Sequence, residues 1–258
     1  GSRYLAFEPA ESLKPGQKYT ITVKDSVQAL NGKQIEGKRQ FTVTSEVLRI
    51  TYSQPGYMLR KNSDRWIPIN TDNLIPEAAN DVQLRFNYPV QPAELQSILS
   101  VSVQEAGKQA VPYRHTVTRP EGENDFNVLV NINGKIPFNA TVTVAAKRPD
   151  GSLTTAQYHT LKPFTCKGAS VYHSDYGYTN PIALRFSHPV DKKTVLNNIS
   201  IKPALTFGEK NIEVHNATSY YSTVLIHGLP VAPQETYTVT VHGIKDTYGR
   251  ALASAASY

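Results

Sequence analysis

The stretch LRFSHPVDKKTVLNNISIKP, from Leu184 to Pro203, decides how this chain is read. A near copy, LRFNYPVQPAELQSILSV, runs from Leu84 to Val101, one hundred positions earlier. Both copies keep Leu-Arg-Phe, a Pro-Val step, and an apolar spacing behind it: Leu95, Ile98 and Val101 against Val195, Ile199 and Ile201. Solenoid repeats recur every ~20–50 residues, so a repeat at this distance means tandem domains. Each copy reads as strand, turn, strand. Leu184 and Phe186 share one face of a strand by the period of two, and Pro189 ends it by withholding an N–H from the ladder. Asp191 is placed to cap a short helical turn. In the earlier copy Pro92 suits the first position of that turn, where its missing donor costs little. Ile199-Ser200-Ile201 resumes as a strand.

Outward from the repeat, the same texture continues. Lys18-Tyr19-Thr20-Ile21-Thr22-Val23 alternates, with Tyr19, Ile21 and Val23 on one face, and Phe41-Thr42-Val43 reads as a closing strand. Tyr237-Thr238-Val239-Thr240-Val241 repeats that alternation near the other end. Phe126–Val130, Thr141–Val144 and Ser222–Ile226 are further strands. Asn31-Gly32 and Asp150-Gly151 are hairpin turns, because these residues tolerate positive φ, and Leu13–Gln17 and Asp246–Gly249 are tight turns. Short alternating strands between turn signals, with no sustained helical period, predict an all-β chain of tandem sandwich domains. The expected division is a partial module at 1–46 (the C-terminal half), a full module at 47–165, and another at 166–258. The segment Arg60–Trp66 has no counterpart in the last module and reads as an inserted loop or hairpin. The first module lacks its opening strands on this reading, so the chain is expected to be a piece of a longer protein.

Phe186-Ser187-His188-Pro189-Val190-Asp191, the Thr194-Val195 turn, Ile199-Ser200-Ile201-Lys202-Pro203 and Tyr237–Val241 together resemble the immunoglobulin-like (Ig-like) modules of large bacterial envelope proteins. They are most similar to modules of bacterial alpha-2-macroglobulin-like proteins. The resemblance covers most of the chain and implies tandem Ig-like β-sandwiches with a scaffold role in a protease-trapping parent. Many such parents carry a Cys-x-Glu-Gln thioester. Here the only cysteine begins Cys166-Lys167-Gly168-Ala169, so the resemblance brings no reactive thioester to this stretch.

Composition narrows the function classes. With 258 residues, 40% hydrophobic and 19% charged, each domain can bury a core. No apolar run is long enough to span a bilayer, so direct membrane insertion is not expected. The net charge is +6, but Lys and Arg are dispersed among acidic residues, which argues against nucleic acid as a partner. A lone cysteine rules out an internal disulfide, and the cores must hold by packing.

No enzyme signature is present. The histidines lack metal-ligand spacing; strand alternation puts His215, His227 and His242 on unrelated faces, and all seven histidines read as scattered surface residues. There is no Gly-x-Ser-x-Gly and no phosphate-cradling loop. Glu121, Glu123 and Asp125 sit in a Pro/Gly-bearing turn that reads as solvated. No catalytic residue, cofactor or metal is expected. The candidate interaction surface is aromatic: Trp66 in its polar loop, and Tyr172, Tyr176 and Tyr178 beside Asp175. Flat rings next to polar side chains can stack on sugars or anchor a protein; the tyrosines would serve equally as packing at the joint between the last two modules. The expected function is a non-enzymatic scaffold or docking segment, periplasmic or extracellular, whose partners are other domains of the same protein and, through the parent, proteases. A carbohydrate-binding module and an S-layer or adhesin stalk are the alternatives.

Overall fold

The computed structural model describes residues 8–258 apart from 12, 29–31, 35, 63–73, 172–180, 218–220 and 233. The chain divides into two compact units, Gly1–Leu161 and Lys162–Tyr258.

The first unit opens with a two-stranded antiparallel sheet, β1 (Lys18–Thr22) and β2 (Gln40–Thr44). Asn31 lies outside the described residues; Gly32 beside it has φ +76°, and Gln28 bridges Gln34 across the bend. The strands that follow are β3 (Ile50–Pro55), β4 (Asp81–Phe86), β5 (Leu99–Glu105), β6 (Val111–Thr118), β7 (Asn127–Asn133), β8 (Ala140–Lys147) and β9 (Leu153–His159). They form one seven-stranded antiparallel sheet in the order β3-β4-β7-β6-β5-β8-β9. One strand makes this a sandwich. β6 pairs with β5 through Val111–Tyr113 and with β7 through Arg114–Thr118, so it passes from one layer to the other. Inward residues of both layers then share a core: Val82, Leu84, Phe86, Val128 and Val130 from one, Val101, Val142, Val144 and Tyr158 from the other.

The second unit is the same plan with the layers separated. β10 (Cys166–Val171), β11 (Ile182–Phe186), β12 (Ile199–Lys202), β13 (Ile212–Ala217), β14 (Tyr221–Ile226), β15 (Thr238–Val241) and β16 (Ala256–Ser257) form sheets β10-β11-β14-β13 and β12-β15-β16. Four strands facing three, connected in this order, is the arrangement of an Ig-like sandwich of the constant type. The fold is therefore all-β and Ig-like. Its core gathers Phe164, Leu184, Phe186, Val195, Val224 and Val241, with Phe164 and Phe186 stacked at 5.6 Å.

The repeat occupies corresponding places. Leu84 and Phe86 are buried on β4, and Leu184 and Phe186 on β11. Asp191 accepts a hydrogen bond from the Lys193 amide at 3.1 Å, capping a 3-10 turn at Lys192–Thr194. In the earlier copy Pro92 starts a longer turn, helix α2 (Pro92–Ile98), which follows the shorter α1 (Tyr57–Lys61) in the chain. With the Thr-Val-Thr-Val of β8 (141–144) matched to that of β15 (238–241), the ladders correct the sequence alignment. Val101 lies opposite Val144, and Val103 opposite Val142; Ile199 lies opposite Val241, and Ile201 opposite Val239. The ladder thus equates Val101 with Ile199 and Val103 with Ile201. The two extra residues of the earlier copy, Leu99 and Ser100, lengthen the start of β5 and pair with Ala146 and Ala145.

Arg60 and Lys61 close helix α1, so the start of the expected Arg60–Trp66 loop is helical; Asn62 caps it, and the remainder lies outside the described residues. The helix is pinned at its start. Asp81, itself buried, accepts from the Met58 amide at 2.7 Å. Gly56 turns the chain into it with φ +67°, where a Cβ would stand 3.2 Å from Ala78.

Candidate interaction surface

Trp66, Tyr172, Tyr176 and Tyr178 all lie outside the described residues. The last described residue before Tyr172 is Val171. Val171 at the end of β10, Val231 and Tyr258 are each at least two-fifths exposed and border a groove of about 400 Å³ between β10 and β15. The Tyr258 hydroxyl closes one end by donating to the Cys166 carbonyl at 3.0 Å. Cys166 is half-buried, its Sγ 3.8 Å from the Gly168 carbonyl.

Histidine behaves differently from the scattered surface set expected. His188 is buried in the second core, its ring 6.2 Å from that of Phe164. Nδ1 meets the Ser187 hydroxyl at 2.9 Å, and that hydroxyl accepts from the Thr165 amide. Burial lowers the imidazole from its ordinary range to about 4; the charges of Arg250 and Lys167 push the same way and Asp246 opposes them. Asp246 is also buried and works as a turn organiser. It accepts from the amides of Tyr248 and Arg250 and from Arg250 Nε at 2.8 Å, while Arg250 Nη1 donates to the Lys162 carbonyl. β11 ends at Phe186, and Ser187 and His188 lie in the bend before Pro189, both buried.

His215 and His227 are not on unrelated faces. Both Nε2 atoms converge on Glu213, at 3.0 and 2.9 Å from its two carboxylate oxygens. Glu213 and His215 are two apart on β13, and the His227 amide donates to Asn211 across the ladder, so all three share the outer face. His242 instead meets Asn198 at 3.1 Å. Among the described residues no group of three His, Cys, Asp or Glu is arranged to hold a metal ion.

The acidic turn is exposed at Glu121 and Asp125, as expected, and Glu123 is half-buried. Glu123 accepts from the Tyr57 hydroxyl at 3.1 Å and from Asn127 at 2.6 Å, and Asp125 pairs with Arg119. Burial raises the Tyr57 hydroxyl, and Glu123 adds to the effect. Glu123 thereby ties the turn to α1 and β7. In the same core the Tyr158 hydroxyl, raised by burial and by the nearby Asp81, donates to the Ala79 carbonyl at 2.9 Å.

Residues 170–258 match a family model described as a bacterial Ig-like domain, which makes this part of the chain similar to that family. No curated protein matches the chain. Among the described residues no helix is long and apolar enough to cross a membrane.

Proposed function

We propose that the chain is a non-enzymatic architectural segment, a run of Ig-like modules at 1–46, 47–165 and 166–258 that spaces and orients other domains of a large bacterial envelope or secreted protein. The observation that carries this reading is the Ig-like strand order the two sandwiches share, with residues 170–258 matching a bacterial Ig-like domain. The buried ionisable groups serve that architecture. Here Asp81 is bonded to the helix amide of Met58, and Tyr158 to a backbone carbonyl. His188 is closed into a core against Ser187. Each group serves a local structural bond.

The family match supports a bacterial module, and with it a periplasmic or extracellular place. The resemblance carried by the repeat favours an alpha-2-macroglobulin-like protease-trapping parent, in which these modules carry the architecture and proteases are engaged elsewhere in the parent. An S-layer or adhesin stalk would use the modules in the same way. A carbohydrate-binding role would rest on Trp66, Tyr172, Tyr176 and Tyr178. A glycan array and a protease-capture gel test the proposal together. The expected outcome is no sub-millimolar glycan binding and no denaturant-stable adduct with protease. Glycan binding abolished by Trp66→Ala would replace the scaffold reading with the carbohydrate-binding one.

A further inference from the structure

The residue that follows Leu-Arg-Phe plays the same part in both copies of the repeat. Phe86 lies opposite Ile50 on β3, and Phe186 opposite Cys166 on β10. One step beyond each pair, the Asn87 N–H donates to the Arg49 carbonyl at 3.2 Å, and the Ser187 N–H to the Thr165 carbonyl at 2.9 Å. In a regular antiparallel pair the second bond also joins backbone to backbone. Here it goes to a side chain. The Arg49 N–H donates to Asn87 Oδ1 at 2.9 Å, and the Thr165 N–H to the Ser187 hydroxyl at 2.9 Å. A turn arginine adds a second hold: Arg148 Nε donates to the Leu48 carbonyl at 2.6 Å, and Arg250 Nη1 to the Lys162 carbonyl at 2.9 Å. In each unit the segment entering the sandwich is seated by the same two devices.

Asn87 reaches further than Ser187. The Ser187 hydroxyl meets His188 on its other side, whereas an amide keeps two donors after its oxygen has accepted. Asn87 Nδ2 donates to the Val47 carbonyl at 3.0 Å and to the Glu46 carboxylate at 3.2 Å. Glu46 also belongs to the end of the sheet β1–β2. Its carbonyl accepts from the Gly16 amide at 2.8 Å, and the Ser45 amide donates to the Gln17 carbonyl at 3.0 Å. β2 ends at Thr44 and β3 begins at Ile50, and the chain between them carries no slack. Ser45 and Glu46 are bonded to the start of β1, while Glu46, Val47 and Arg49 are bonded to Asn87. Leu48 is buried in the first core. Arg49 Nη2 stands 3.5 Å from the Glu46 carboxylate, but both side chains are exposed and such a pair adds little. Module boundaries usually fall in flexible linkers that few contacts cross. This one is stapled.

We infer that Asn87 is a joint lock, a positioning residue that holds the sheet β1–β2 on the first sandwich as one body. Its oxygen serves the entry strand of the sandwich and its nitrogen serves the end of the sheet, so one amide spans the joint. Both parts lie within the first unit, Gly1–Leu161. This rests on the modular reading above and deepens it by naming the contact through which one module is oriented on the next. The isosteric change Asn87→Asp separates the two halves of the lock. A carboxylate still accepts from the Arg49 amide but has no N–H to donate, and its charge repels that of Glu46.

Residual dipolar couplings of the isotope-labelled full chain, measured by NMR in a weakly aligning medium, test the lock. In the parent protein the amides of β1 and β2 and those of β4 and β7 should fit one alignment tensor. In Asn87→Asp they should need two, with that of β1–β2 smaller by about a third or more, as for a part that moves freely. Exchange of the Arg49 amide should stay as slow as in the parent. Asn87→Ala should separate the tensors in the same way and also speed Arg49 exchange about tenfold, since that amide loses its acceptor. The inference is overturned if the parent already needs two tensors, because the joint is then free. It is equally overturned if Asn87→Asp still fits one, because the sheet is then held without the amide donors. A loss of Arg49 protection in both variants alike also overturns it, making Asn87 a support of the sandwich and not a lock on the joint. None of these outcomes touches the glycan and protease tests of the scaffold reading.

Discussion

Phe86 and Phe186 hold the same place in the two repeats, each two positions after a buried leucine and each sealed in its own core. Replacing either by alanine should cost about 3–5 kcal/mol. In calorimetry Phe186→Ala should lower the transition of the second unit and leave that of the first in place; Phe86→Ala should do the reverse. His188 gives the second unit a pH dependence of definite sign. Folded, its imidazole titrates near 4; unfolded, it returns to about 6.5. Between those values the unfolded chain binds the proton first, so acid favours unfolding. The contribution is full above about pH 6.5 and is lost as pH falls toward 4. The urea midpoint of the second unit should drop through that window, and His188→Gln should flatten the drop; an unchanged slope would assign it to the carboxylates. The burial of Phe186 was legible from its spacing. That of His188 was not, because its position depends on Phe164 arriving from another part of the chain.

At the scale of elements, the strands that alternate apolar with polar residues were legible, and so was the hairpin at Asp150-Gly151, where Gly151 has φ +84°. The less legible strands share a physical reason. β6 bears Pro112 and is half-exposed or exposed throughout. β9 turns Thr154, Ala156 and Tyr158 inward, a weakly apolar set. β10 is an edge strand of mostly small residues. Glu213, His215 and His227 meet through the β13–β14 register, which spacing along the chain does not encode. Helix α1 was hidden for a similar reason, since its anchor, Asp81, lies on β4. Asp81→Ala would leave the Met58 amide without its acceptor, at a cost of about 1–3 kcal/mol for a buried donor. The first unit should melt earlier, and trypsin should cleave after Lys61 faster than in the parent chain. Equal cleavage rates would mean that α1 is held by other contacts.

For the whole molecule, the repeat in the sequence already implied tandem domains, and the two units are sandwiches of one strand order. The aromatic candidates lie outside the described residues. The likeness of β1 to β15 was visible as matching alternation, and equivalent tyrosine bonds to Lys14 and Ala232 extend it. Each sandwich has a core of its own. A seven-stranded unit with its own core should fold without the rest of the chain. The most direct measurement is the thermal unfolding of residues 162–258 expressed alone, beside that of the full chain. A single cooperative transition is expected at the temperature at which the second unit melts in the full chain, displaced there by Phe186→Ala. An isolated unit that is unfolded, or whose transition lies far below its counterpart, would contradict it.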